Sequence, residues 1–76
     1  MAVPRFSRVA AIKLGKNIAQ LRQKAGFTQD LLAERLNITP RYLQKLESGV
    51  HTPSLALLLE LRKSLKTDWS ALLADL

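Results

Sequence analysis

Between Gln29 and Ser48 the apolar spacing is interrupted once, and the interruption is three residues long. Leu32, Ala33 and Leu36 form one inward side over residues 29–36. Asn37-Ile38-Thr39 breaks it, and Leu43 and Leu46 resume an inward side after Pro40. The break residues suit an abrupt reversal of direction. Asn tolerates the left-handed backbone needed to leave a helix, a Thr hydroxyl caps the next one, and proline fits the first helical position, where its missing N–H costs nothing. Two short helices joined so tightly cannot lie side by side, so they cross steeply and the second stands out from the domain. Ala33 is small where the crossing helix must come close. A protruding helix fits the DNA major groove, about 12 Å wide, and the spacing points to a reader of duplex DNA.

The remainder of the chain predicts three more helices and no strand. Residues 1–10 contain Pro4 and no helical period, and read as a basic arm carrying Arg5 and Arg8. From about Ala11, Leu14, Ile18, Leu21 and Ala25 form one apolar stripe, which Gly26 ends at a left-handed cap. Thr28 caps the second helix and Thr39 the third; Ser48-Gly49 terminates the third. After a loop over residues 50–53, Ser54 caps a fourth helix. Its inward stripe is Leu55, Leu58, Leu61 (or Arg62) and Leu65, and Lys66-Thr67 closes it. Asp68 caps a final short helix through Trp69, Leu72, Leu73 and Leu76. The expected fold is all-α: five helices over residues 11–76, forming one domain behind the arm.

Charge narrows the partners. Twelve basic and six acidic side chains give a net charge of +6. Residues 1–25 hold Arg5, Arg8, Lys13, Lys16, Arg22 and Lys24 and no acid, so the whole excess lies in the N-terminal third. Such asymmetry points to a polyanion, nucleic acid before an acidic membrane surface. The arm either follows phosphates or the minor groove, or attracts DNA only diffusely. There is no cysteine, which removes disulfide scaffolds and thiolate metal sites and fits a cytoplasmic protein. His51 has no second metal-type ligand nearby, so neither a metal nor a cofactor is expected. No nucleophile–base set, paired carboxylates or phosphate-binding glycine loop suggests an enzyme. No apolar run approaches a membrane span, no signal peptide is visible, and no small-molecule ligand is expected.

Four local patterns together resemble the lambda-repressor-like (Xre/Cro-type) DNA-binding family. They are Leu14-Gly-Lys-Asn-Ile18 with Leu21-Arg22; Thr28-Gln29 with Leu32-Ala33; Thr39 to Gly49 (TPRYLQKLESG); and Thr52-Pro53-Ser54-Leu55. The resemblance covers about Leu14 to Leu73. It implies a helix-turn-helix in the second and third helices. Gln29 would bond a backbone phosphate while bracing the third helix, and Thr39 would touch phosphate or a thymine methyl. Residues 40, 41 and 45 correspond to base-reading positions, with Tyr42 and Gln44 beside them. Arg22 and Glu47 match a pair that ties the first helix to the end of the third. Ser48, Val50 and His51 lie where relatives meet phosphate through backbone amides. Chemistry adds to this: Arg41 and Lys45 can donate to guanine O6 and N7, and Gln44 can pair with adenine N6 and N7. Pro40 can make only van der Waals contact. Tyr42 suits a base or phosphate contact and, equally, packing of its ring near the second helix.

These residues divide into two groups, Arg41, Gln44, Lys45 and Tyr42 choosing the site and Lys13, Lys16, Gln29, Thr39, Ser48, Val50 and His51 holding the backbone. The implied function is that of a small bacterial or phage transcriptional regulator, of the Cro-like repressor or restriction–modification controller type, on a double-stranded operator. Leu57, Leu59, Trp69, Leu73 and Leu76 exceed what so small a core buries, and surplus apolar surface marks an interface. A homodimer through the last two helices would set two reading helices roughly 34 Å apart on a near-palindromic site. The alternative is an antitoxin or interaction module that uses this leucine-rich face on a toxin or co-regulator. Leu31 is a further apolar residue with no inward place. Arg62 stands where relatives bury a small apolar residue.

Overall fold

The computed structural model describes residues 6–76, and Arg5, with the first part of the expected arm, lies outside them. Five helices follow in order: α1 (Arg8–Lys24), α2 (Gln29–Leu36), α3 (Pro40–Glu47), α4 (Leu55–Leu65) and α5 (Trp69–Leu72). Each begins with a side-chain cap. Ser7, Thr28, Thr39, Ser54 and Asp68 each accept a hydrogen bond from the backbone N–H three residues on, which satisfies a donor that has no partner within its own helix. Their ends are equally local. Gly26 and Gly49 have positive φ (84° and 81°), and Asn37 and Lys66 take the same left-handed turn at 58° and 51°.

The core is aliphatic: Leu14 and Ile18 of α1, Leu32 and Ala33 of α2, Leu43 and Leu46 of α3, Leu58, Leu61 and Leu65 of α4, and Leu72 of α5. α1 packs against α3, α4 and α5, while α2 fills the space between α3 and α4. Gly15 sets the α1–α3 crossing. A Cβ there would fall 2.5 Å from the Leu46 carbonyl oxygen and closer still to that of Glu47. α5 is held from a distance by Asn17, whose amide donates to the carbonyls of Leu72 (3.0 Å) and Ala74 (2.9 Å). Among the described residues, no helix is long and apolar enough to cross a membrane.

Several expectations need correction. α1 starts at Arg8 rather than near Ala11, because Ser7 caps it, so Arg8 belongs to a helix and not to an arm. Ala25 is the exposed C-terminal cap of α1 rather than part of the inward stripe. Leu55 is 70% exposed at the first position of α4, and Leu61, not Arg62, carries the buried stripe. α5 ends at Leu72 and buries that residue alone; Leu73 caps it and Leu76 lies beyond. At Ala25, Leu55 and Leu73 the apolar phase gives a side chain only a direction. It does not place another element opposite.

Candidate nucleic-acid interface

α3 has an apolar side and a polar side, because Leu43 and Leu46 are buried while Arg41 and Gln44 are exposed and Lys45 is half-buried. Residues 41, 44 and 45 are three and four apart, hence neighbours on one surface. Among the described residues, neither Arg41 nor Lys45 has an acidic partner within ion-pair distance. The Thr39 hydroxyl accepts from the Tyr42 N–H at 3.1 Å, so this side chain is engaged in capping. Tyr42 itself is half-buried against the core, with its ring centroid 5.9 Å from that of His51.

Beneath the polar side lies a buried network joining three helices. The Arg22 guanidinium of α1 donates through Nε to Glu47 Oε2 (2.8 Å) and through Nη2 to Oε1 (3.2 Å), and through Nη1 to the Phe27 carbonyl (2.9 Å). Both side chains are at least nine-tenths buried, at 10% and 7% exposure. Gln29, the first residue of α2, donates Nε2 to Glu47 Oε1 at 3.0 Å. Its own Oε1 faces Gln44 Nε2 at 3.4 Å, a long contact at the surface. Thus Arg22, Glu47, Gln29 and Gln44 come together, which fixes the roll of α3 relative to the body.

The α3–α4 loop departs from the reading by resemblance. The amides of Ser48, Val50 and His51 already donate to carbonyls at the end of α3: Ser48 to Gln44 (2.9 Å), Val50 and His51 to Lys45 (2.9 and 3.2 Å). The Ser48 hydroxyl also donates to the Lys45 carbonyl, at 3.1 Å. These amides close a helix whose last carbonyls would otherwise lack donors. Lys13 and Lys16 are exposed on α1.

The model of the family described as helix-turn-helix matches residues 18–72. The chain belongs to the helix-turn-helix family. Its fold is the lambda-repressor-like one. The chain is 36% identical over 55 residues to the HTH-type transcriptional regulator RamB of Mycobacterium tuberculosis, a match covering 72% of this chain but only 12% of RamB. It is also 36% identical over 52 residues to y4dJ of Sinorhizobium fredii, an uncharacterized HTH-type transcriptional regulator, covering 68% of each protein. Among solved structures it resembles the clp gene regulator ClgR of Corynebacterium glutamicum, with a TM-score of 0.77, 29% identity and coverage of 95% and 90% of the two chains. The restriction-modification controller protein C.AhdI of Aeromonas hydrophila gives a TM-score of 0.78 at 26% identity, covering 84% and 97%.

In this helix-turn-helix chain the residues expected at a dimer interface lie on two helices and beyond them. Leu59, Trp69, Leu73 and Leu76 are exposed, and Leu57 is half-buried against the core. Leu55 and Leu31 are exposed as well. Arg62 accounts for its unusual place by laying its guanidinium over the Trp69 ring, 5.3 Å from the centroid, an attraction between cation and ring face. Its Nε nevertheless is buried without an acceptor. Two residues that position the helices had no role assigned from sequence: Gly15 and Asn17. Helical glycine and asparagine read there only as weak helix formers, since the partners that require them lie on other helices.

Proposed function

We propose that this helix-turn-helix protein is a transcriptional regulator that binds double-stranded DNA at a specific sequence and catalyses no reaction of its own. The observation that carries the reading is the polar side of α3. Arg41, Gln44 and Lys45 stand free of acidic partners on a helix whose roll is fixed from beneath by Arg22, Glu47 and Gln29. Arg41 and Lys45 read guanine and Gln44 reads adenine, each good bidentate pair giving roughly 1–3 kcal/mol of discrimination. Gln29, Lys13, Lys16 and the Thr39–Ser48–His51 rim hold the backbone. The protein binds as a homodimer through Leu57, Leu59, Trp69, Leu73 and Leu76, on a near-palindromic operator. Operation on chromosomal DNA places it in the cytoplasm.

Selection of bound sites from random duplexes at about 150 mM salt tests this. The expected result is an inverted repeat whose half-sites lie about one turn apart. Arg41→Ala and Lys45→Ala each lose preference at their own base pairs and keep non-specific binding. Full preference retained in both variants overturns the assigned readout. If no motif is recovered, the exposed leucines must serve a protein partner instead.

A further inference from the structure

Beside the reading helix lies an open cleft of about 630 Å³, of whose lining only Ser48 and His51 have a part in the function proposed above. One wall comes from the start of α1, with Phe6, Arg8 and Ile12. The other comes from α3 and the loop after it, with Tyr42, Val50 and His51. Among the described residues no acid lines it, and its charged and polar side chains are a guanidinium, an imidazole, a phenol and the hydroxyls of Ser48 and Thr52. This set matches an anion carried on a partly apolar body.

Arg8 has no evident structural reason to be there. It is the first residue of α1, where a cation opposes the helix dipole and a carboxylate would be favoured; Arg22 and Lys24 occupy the favourable end. Among the described residues it makes no ion pair. Across the cleft, the loop amides that could have received an anion are already bonded to α3 carbonyls. Binding there falls to side chains. The cleft also adjoins the proposed DNA surface, since Tyr42 is next to Arg41 and Ser48 ends the same helix.

We propose that the cleft seats one phosphate of the DNA backbone, outside the base pairs read by α3, with Arg8 as its main ligand. Tyr42 and His51 form the opposite wall, and Phe6, Ile12 and Val50 line the adjoining sugar. The inference rests on the DNA-binding reading above. It makes Arg8 a helix-mounted contact with a fixed position.

The test measures binding of the full chain to its selected operator over a range of salt concentrations. One duplex extends several base pairs beyond the outer bases read, and another is trimmed to them. Each phosphate neutralised contributes about 0.9 to the slope of log affinity against log salt. Arg8→Gln is expected to lower that slope by about 0.9 per protomer, with base preference unchanged. Arg8→Lys restores the slope, and Lys24→Gln, an equal loss of charge at the far end of α1, leaves it at the wild-type value. Trimming weakens the wild type but not Arg8→Gln. If Arg8→Gln keeps the wild-type slope, or trimming affects both proteins equally, the phosphate seat is overturned while operator binding stands. If Lys24→Gln lowers the slope as much as Arg8→Gln, the attraction is diffuse and the seat is likewise overturned. A wild type with no sequence preference overturns the DNA-reading proposal, and the seat with it.

Discussion

Gly15→Ala sets two known effects against each other at the crossing that carries α3. In an isolated helix the substitution gains about 1 kcal/mol, the propensity difference between glycine and alanine. Here the new Cβ would lie 2.5 Å from the Leu46 carbonyl oxygen, and real Cβ contacts stay beyond 3.0 Å. α3 must therefore retreat by at least 0.5 Å, the difference between those distances. The obstructing atoms are backbone, so no side chain can rotate aside. Such overpacking costs about 1–3 kcal/mol, and with rigid atoms on both sides the upper part of that range applies. The net loss is about 2 kcal/mol, from a total of about 4–11 kcal/mol for 76 residues. Thermal unfolding followed by circular dichroism should show a Tm lower by about 8–16 °C. Operator affinity, measured well below that Tm, should fall too, because the displaced helix carries Arg41, Gln44 and Lys45. Gly26→Ala is the control: its φ of 84° strains any L-residue, but a Cβ there meets nothing within 4 Å. It should lower the Tm and leave the affinity of the folded protein unchanged. A Gly15→Ala protein as stable as the wild type, with full operator affinity, would refute the close crossing.

Two further outcomes follow from the same structure. Glu47→Ala strands the buried Arg22 guanidinium and removes the acceptor of Gln29, and urea titration should show a loss of about 3–5 kcal/mol. Arg22→Met with Glu47→Leu should recover most of that loss, and equal losses in the single and double variants would contradict the account. Leu59→Glu with Leu73→Glu should leave the monomer folded, since both are exposed, and should abolish association in sedimentation equilibrium. Its operator binding should then fall while single half-site binding persists; an unaltered dimer would remove these residues from the interface.

What could be read from sequence alone was chemistry confined to a few neighbouring residues. The caps at Thr28, Thr39, Ser54 and Asp68, the left-handed exit at Asn37 and the glycine stop at Gly26 depend only on residues nearby. Ser7 obeys the same rule but has no apolar period beside it, because Arg8, Val9 and Ala10, which open α1, are not buried. The inward sets of α2 and α3 were legible because both helices are covered along their lengths. Leu55, Trp69 and Leu73 share the right phase but remain exposed in this chain. Contacts between distant segments left no local sign: Gly15 against α3, Asn17 against α5, and the bond from Gln29 to Glu47. Arg22 and Glu47 could be paired only through the family resemblance. The resemblance places the amides of Ser48, Val50 and His51 where relatives meet phosphate, and in this chain they also donate to carbonyls at the end of α3.

The buried pair explains more than stability, since an apolar pair of equal volume would serve stability at least as well. An ionised carboxylate only accepts hydrogen bonds. With Arg22 occupying both Glu47 oxygens, Gln29 must turn its NH₂ toward Oε1, and its own oxygen is thereby turned outward. That oxygen can accept only a donor, so Gln44 presents its NH₂ to it at 3.4 Å. The orientation of both amides thus follows from the charge beneath them. Gln44 retains its carbonyl oxygen and one N–H. This acceptor–donor edge complements N6 and N7 of adenine in the major groove and mismatches the two acceptors of guanine. A hydrophobic replacement of Arg22 and Glu47 could hold α3 at the same distance. It would leave Gln29 and Gln44 free to flip, and the base preference at that position would relax although the fold remained.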